Sequence, residues 1–158
     1  MSKSLKRIKS ALAEAHVVSD VREMPGETRT ASDAAREIGC EIDQIAKSII
    51  FRGAQSGQTV LFITAGGNEV DPAKASALAG EALGRADAAF VREKTGFAIG
   101  GVAPIAHKTS PLSFFDPKLL TFDVVYAAAG TPRHIFNITP HVLLQLSGAQ
   151  DAGFTTNS

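Results

Sequence analysis

The sequence contains one cysteine, no surplus of charge of either sign and no long apolar run. Because Cys40 stands alone, the chain can form neither an internal disulfide nor a Cys-x-x-Cys site for zinc or redox chemistry. We interpret Cys40 as a small packed side chain, since a nucleophilic cysteine would need an activating neighbour that the sequence does not reveal. No segment approaches the ~20 apolar residues that span a bilayer. A cytoplasmic protein without a membrane partner is therefore expected.

The balance of charge limits the nucleic-acid partners. Lys and Arg number 16, Asp and Glu also number 16, and the formal net charge is zero. A protein that coats a long nucleic-acid backbone needs many cationic contacts, so no DNA partner is expected. A brief contact with one RNA end stays open.

Several common catalytic motifs are also missing. No serine lies in a Gly-x-Ser-x-Gly elbow, and neither a P-loop nor a Rossmann glycine pattern occurs. The four histidines, His16, His107, His134 and His141, lack the close helical pairing of a zinc enzyme. The sequence therefore argues against metal catalysis and an ordinary serine esterase.

Helices are predicted from apolar periodicity and from capping residues at their ends. An amphipathic helix runs through Leu5, Ile8, Leu12 and Ala15. Four more are expected, from Thr30 to Gly39, from Asp71 to Gly84, over Asp87 to Lys94, and from Thr139 to Gly148. We expect Val142, Leu143 and Leu146 to form the buried side of the last helix, and the residues after Gln150 to fray.

Strands are predicted where β-branched and aromatic residues cluster. The clearest are 45–52 and 59–65, joined by a hairpin loop over 53–58, and a second pair covers 123–128 and 134–138. No repeat or linker divides the chain, so one domain over 1–158 is expected. This order of elements predicts a mixed α/β (α+β) fold, with a mixed sheet flanked by helices.

Lys47 is the first candidate site residue. The two-residue period of a strand places it on the same face as Ile49 and Phe51. Since burial of an unpaired ammonium is costly, Lys47 either lies at a solvent-exposed edge or faces an anionic ligand in a cleft.

The second candidate is the glycine-rich segment from Thr95 to Pro104. Glycines allow a close approach of backbone to a ligand and offer unobstructed N–H groups, although a structural turn explains the same composition. His107 follows this segment and could serve as an acid, a base or a hydrogen-bond donor, or could be a surface histidine after a turn.

Three segments together resemble the YbaK/prolyl-tRNA-synthetase-associated editing-domain family: 45–51 (IAKSIIF), 95–104 (TGFAIGGVAP) and 128–133 (AAGTPR). The resemblance covers about residues 28–149. It implies a curved, largely antiparallel mixed sheet or a barrel-like sheet surrounded by helices. It also implies hydrolysis of the ester of mischarged tRNA, without a metal or an organic cofactor.

The resemblance also assigns the site residues. It implies that Lys47 contacts the 3′ end of the tRNA and that the loop from Gly100 to Pro104 wraps the aminoacyl group. The resulting catalytic candidates are Lys47 and Gly101, with His107 in reserve as a base. The substrate-binding candidates are Thr95, Gly96, Gly100, Val102, Ala103, Pro104, Asp116 and Gly130. Two features depart from the family pattern: the segment 110–115 before Asp116, and Ser48, where some subgroups have Asn or Thr.

The expected partner is the acceptor end of an aminoacyl-tRNA, with prolyl-tRNA synthetase as a candidate protein partner. The resemblance implies a deacylase that acts in trans on a small amino acid such as alanine, serine or threonine. The alternative is a non-catalytic module that binds an aminoacylated RNA end or a nucleotide and regulates a partner.

Overall fold

The computed structural model describes residues 2–26 and 30–158. Within these ranges the α-helices are α1 (Lys3–Glu14), α2 (Ala31–Ile38), α3 (Pro72–Ala79), α4 (Ala88–Thr95) and α5 (Pro140–Ser147). The strands are β1 (Arg22–Glu23), β2 (Ala46–Gly53), β3 (Thr59–Ala65), β4 (Leu83–Arg85), β5 (Leu112–Phe115), β6 (Val125–Ala128), β7 (His134–Ile138) and β8 (Gln150–Asp151). Short 3₁₀ helices cover Ile42–Gln44 and Pro117–Thr121. None of the helices in these ranges is long and apolar enough to cross a membrane.

The helix ends follow local capping chemistry. The Thr30 hydroxyl accepts the backbone N–H of Asp33 at the start of α2, and the Asp87 carboxylate accepts the N–H of Phe90 at the start of α4. The prediction for α3 is wrong at its C-terminus. Gly80 adopts φ +76° and ends the helix, because a left-handed residue stops the helical hydrogen-bond pattern. Gly84 instead lies in β4.

The strands form two sheets. One has the order β4-β2-β3-β5-β8, with antiparallel pairing in its first half and parallel pairing of β5 with β3 and β8. The other has the order β1-β7-β6 and is antiparallel. A single bridge between Ile45 and Tyr126 joins the two sheets. The mixed α/β fold is confirmed, but the barrel-like alternative is wrong, since no closed sheet forms within the described residues.

The core lies on both faces of β3, whose seven residues are all buried. On one face, Leu61 and Ile63 pack in a cluster that includes Ile8 of α1. On the other face, Phe62 stacks on Phe114 and makes an edge contact with Phe154, at centroid distances of 5.4 and 4.9 Å.

The C-terminal segment belongs to this core, and the predicted fraying after Gln150 is wrong. Phe154 is fully buried, and Thr155 bridges to Val70. One aromatic side chain thus anchors a segment that has a polar composition. In α5, Leu143 is buried as expected, whereas Leu146 is 36% exposed.

Candidate active site

A groove of about 640 Å³ opens between the two sheets. Its walls come from the start of α2, the first half of β2, the loop around Ile99 to Val102, and strands β6 and β7. Most lining residues are apolar. The polar ones are Thr30, Ser32, Lys47, Ser48, Glu69, Tyr126, Thr131 and His134.

Lys47 lies in this groove at an open stretch of strand edge. On one side β2 pairs with β3 along its whole length, but β4 on the other side pairs only with Phe51 to Gly53. The half-buried Lys47 donates from Nζ to the backbone oxygen of Asn68 at 2.7 Å. An ammonium has three hydrogens, and within the described residues this is the hydrogen bond that Nζ makes. Lys47 can therefore still donate to an anionic ligand.

Asp116 supports the turn that carries Asn68. Its buried carboxylate accepts the backbone N–H of Ala65 at 3.1 Å, the side-chain amide of Asn68 at 2.9 Å and the N–H of Lys118 at 3.0 Å. It lies behind the groove lining, so the structure does not place it in contact with a ligand. Its link to the site runs through Asn68 to Lys47.

The glycine-rich segment contributes its middle part to the groove, where Ile99, Gly100 and Val102 line the wall. Gly100 has φ +91°, a conformation that favours glycine. Gly101 is buried and packs against the neighbouring loop, because a Cβ at this position would lie 2.8 Å from the backbone of Thr131. The close approach predicted at Gly101 is therefore made to protein backbone.

The ends of the same segment are structural. The Thr95 hydroxyl donates to the oxygen of Val91 at 2.7 Å and accepts the N–H of Phe97 at 3.0 Å. Gly96 ends α4 with φ +82°. Ala103 and Pro104 are buried outside the groove lining.

Gly130 also serves packing. It has φ +92°, and a Cβ there would lie 2.8 Å from the backbone oxygen of Ser4 in α1 and 3.2 Å from the ring of Phe97. This glycine thus allows α1 to approach the back of the loop between β6 and β7. It lies outside the groove lining, unlike Thr131 and Pro132 beside it.

His107 is not brought into the groove. Its Nε2 donates to the oxygen of Ala103 at 2.6 Å, and its ring packs edge-on against Phe97 at 5.5 Å. Nδ1 is buried and makes no hydrogen bond to any described residue. Burial lowers the pKa of His107 below its ordinary value, outweighing the hydrogen bond to Ala103, which raises it. The geometry gives no support to its reserve role as a base.

The structure instead places His134 in the groove, which the sequence reasoning missed. The Thr131 hydroxyl accepts the N–H groups of Arg133 and His134, both at 3.1 Å, and lies 2.7 Å from Nδ1 of His134. With both backbone donors bound to its oxygen, the hydroxyl directs its own hydrogen to Nδ1. A neutral His134 therefore carries its hydrogen on Nε2. The sequence feature that could have identified His134 is a threonine three residues before a histidine at the start of a strand.

The structure also places Ser48 among the residues that line the groove. It lines the groove beside Lys47, and its hydroxyl oxygen is buried without a hydrogen-bond partner among the described residues. Buried polar groups are nearly always satisfied, so this hydroxyl, which solvent does not reach in the present side-chain rotamer, is an exception that the described residues do not explain.

A family model described as the aminoacyl-tRNA editing domain matches residues 25–146. The chain belongs to this family. Among solved structures, the editing domain is similar to "a putative trans-editing enzyme for prolyl tRNA synthetase", with 44% identity, 98% of each chain covered and a TM-score of 0.89. A hypothetical protein of known structure is 25% identical over 94% of this chain and 99% of its own, with a TM-score of 0.86. An uncharacterised Bacillus subtilis protein, YwhH, is 31% identical over 91% of each chain.

The groove of this editing domain offers hydrogen-bond donors from both sheets. Lys47 and Ser48 belong to β2 of the five-stranded sheet, whereas His134 belongs to β7 of the three-stranded one. Because successive side chains of a strand point to opposite faces, Lys47 and Ser48 border the groove from opposite faces of β2, and His134 lies on the facing wall. Glu69 is the acidic side chain of the lining.

Proposed function

We propose that this protein is a trans-acting deacylase, which hydrolyses the ester that joins a wrongly attached amino acid to tRNA. The observation that carries the proposal is the position of Lys47 in the groove of an aminoacyl-tRNA editing domain. Its ammonium makes one hydrogen bond to the described residues and can donate its other hydrogens to a ligand. The likeness to a structure described as a trans-editing enzyme over nearly the whole chain supports action in trans.

In the proposed reaction, a water attacks the ester carbonyl carbon and the terminal ribose hydroxyl of the tRNA leaves. The products are the free amino acid and an uncharged tRNA. Lys47 binds the 3′-terminal nucleotide, and the wall formed by Ile99 to Val102 holds the aminoacyl group. Positioning of this kind can supply a large part of a rate enhancement.

Negative charge develops on the carbonyl oxygen during the attack, and fixed donors lower its free energy. The Nε2–H of His134 is the donor that we propose for this oxygen. We assign no protein general base. The family resemblance favours a hydroxyl of the terminal ribose of the tRNA as the group that orients the water.

We propose a small amino acid, alanine, serine or threonine, on proline tRNA as the substrate, with prolyl-tRNA synthetase as the associated synthetase. Support for proline tRNA comes from the name of the structural relative at 44% identity. One methylene contributes only about 1–3 kcal/mol to discrimination in an apolar pocket. Activity on more than one small amino acid is therefore expected.

The test is incubation of the purified protein with a panel of aminoacylated tRNAs, without ATP, while loss of each ester is followed. We expect hydrolysis of small aminoacyl esters and none of correctly charged prolyl-tRNA. Loss of activity in Lys47→Ala, with retention in the exposed-lysine variant Lys9→Ala, would tie the reaction to the groove. Inactivity across the whole panel would contradict the deacylase and favour the non-catalytic binder.

A further inference from the structure

Helix α1 precedes the region matched by the family model, which begins at residue 25, yet it packs against the backs of both loops that line the groove. Its contact with the loop between β6 and β7 is the approach of Ser4 to Gly130. Its contact with the glycine-rich loop is made by Arg7. The described part of α1 contributes no residue to the groove lining itself.

Arg7 binds on both sides of the glycine-rich loop, at its first residue, Thr95, and at Ala106, two residues after Pro104. Its Nε donates to the backbone oxygen of Ala106 at 2.8 Å, and one terminal nitrogen donates to the backbone oxygen of Thr95 at 2.7 Å. The planar guanidinium also lies over the ring of Phe97, 4.5 Å from its centroid. Three separate contacts thus connect one side chain to residues that flank the groove-lining part of the loop on both sides.

Two residues with left-handed backbone, Gly96 and Ala106, lie in contact with this guanidinium. Gly96 ends α4 with φ +82°, and the Arg7 guanidinium fills the space beside it, 2.5 Å from where a Cβ would lie. Ala106 adopts φ +62°, in the left-handed region that non-glycine residues rarely occupy. Such a conformation persists where surrounding contacts hold it in place, and the carbonyl of Ala106 is the group that accepts the Nε–H of Arg7.

We propose that Arg7 is a positioning residue for the deacylation reaction. It fixes the ends of the glycine-rich loop and so sets where Ile99, Gly100 and Val102 stand against the aminoacyl group. The proposal rests on the function proposed above. Direct binding of a tRNA phosphate is a weaker explanation of Arg7, because the guanidinium already donates to two backbone oxygens and stacks on a fully buried ring.

Three variants separate these explanations: Arg7→Ala, Arg7→Lys and the control Lys9→Ala, an exposed lysine of the same helix. Lysine keeps the charge but lacks the planar fork that binds two carbonyls and stacks on an aromatic ring. We expect kcat/KM for deacylation to fall about tenfold or more in both Arg7 variants, since small displacements of positioning groups have effects of this size. Lys9→Ala should stay within about twofold of wild type.

Two further measurements report on the mechanism of the loss. Amide hydrogen exchange should become faster at Gly96 to Val102 in both Arg7 variants, with β2 and β3 unchanged. The dependence of log KM on log salt concentration should keep its wild-type slope, whereas a lost phosphate contact would reduce that slope by about one. If Arg7→Ala does not fold, the same measurements are compared between Arg7→Lys and wild type, because the lysine variant keeps an aliphatic stem and the charge.

Wild-type activity in Arg7→Lys, a reduced salt slope, or unchanged exchange of the loop in both variants would each overturn the proposal. Failure of the proposed function gives a different result, namely a wild-type protein that hydrolyses no aminoacyl-tRNA. In that case the exchange rates alone decide whether Arg7 fixes the loop.

Discussion

Lys47 and Asp116 share a partner in Asn68. The backbone oxygen of Asn68 accepts the Lys47 ammonium, and its side-chain amide donates to the Asp116 carboxylate. The same carboxylate accepts the N–H of Ala65, the last residue of β3. The lysine in the groove is thus held by a turn that a buried acidic residue fixes from behind.

Asn68→Ala tests this arrangement. The variant removes the amide that binds Asp116 but keeps the backbone oxygen that accepts Lys47. The bond from Asn157 to the side-chain oxygen of Asn68 is lost as well. We expect a loss of about 2 kcal/mol in the free energy of unfolding, since hydrogen bonds to charged groups contribute about 1.5–3 kcal/mol, and a larger relative loss of kcat/KM. Chemical denaturation and deacylation assays measure the two effects. Unchanged activity would mean that the turn does not position Lys47.

Lys47→Ala should leave the fold intact and remove most deacylation. The side chain is half-buried and makes one hydrogen bond to the described residues, so the free energy of unfolding should change by about 1 kcal/mol or less. Activity should fall about 100-fold, because the substrate end loses its anchor. Thermal unfolding and hydrolysis are measured on the same preparation. A fully active variant would make the site assignment wrong.

Gly101→Val should reduce stability and activity together. From sequence alone we would expect mainly an effect on activity, but the added Cβ lies 2.8 Å from the backbone of Thr131, which cannot move as a flexible side chain can. Overpacking of this kind costs about 1–3 kcal/mol. It also separates the two loops that line the groove. Normal stability with lost activity would show instead that the glycine is needed for a ligand.

Gly100→Ala makes a useful comparison with Gly80→Ala. Both glycines have positive φ, +91° and +76°, and an added Cβ meets only Pro132 at 3.8 Å at the first position and nothing within 4 Å at the second. Each substitution should cost about 1–2 kcal/mol of backbone strain. Only Gly100→Ala should lower deacylation, because only Gly100 lines the groove. Equal activities would remove Gly100 from the site.

A pH-dependent contribution to stability is expected from Glu81. Hydrogen bonds from the Ser56 hydroxyl and from the N–H groups of Ser56 and Gln55 lower its pKa from 4.5 to about 2. A lowered pKa means that the folded state favours the carboxylate. The stabilisation is therefore complete above about pH 4.5 and is lost as pH falls towards 2.

The measurement is denaturant unfolding of wild type and Glu81→Gln between pH 6 and 2.5, where the difference between the two should shrink as pH falls. In Ser56→Ala, which lacks the strongest of these donors, the folded-state pKa of Glu81 rises, so the loss of stability should be smaller and should be complete at a higher pH. A constant difference across this range would contradict the role of the carboxylate.

Local signals predicted the fold best where neighbouring residues decide the structure. The caps at Thr30 and Asp71 placed two helix starts correctly, because each side chain bonds backbone groups two or three residues away. Strand β5 and the packing of Phe154 were missed, since both depend on partners across the sheet. Phe154 contacts Phe62, which lies 92 residues earlier in the chain.

The same distinction applies to the site. Lys47 was found because a lysine in an apolar strand is unusual on its own. The placing of His107 outside the groove depends on the fold of the loop around Phe97, and that of His134 inside it depends on how β7 pairs with its neighbours. Neither arrangement can be predicted from residues that are close in the sequence, apart from the spacing of Thr131 and His134.

The open edge of β2 has a consequence for solubility. Residues 46–50 present backbone groups on the side that β4 does not cover, and an uncovered strand edge can template pairing with a strand of another molecule. The wall formed by β6 and β7 faces this edge, with Tyr126 bridged to Ile45, and limits the access of a second strand. The gap that would admit a ligand is therefore also the place where a foreign strand could add to the sheet, and a ligand bound there would shield this edge.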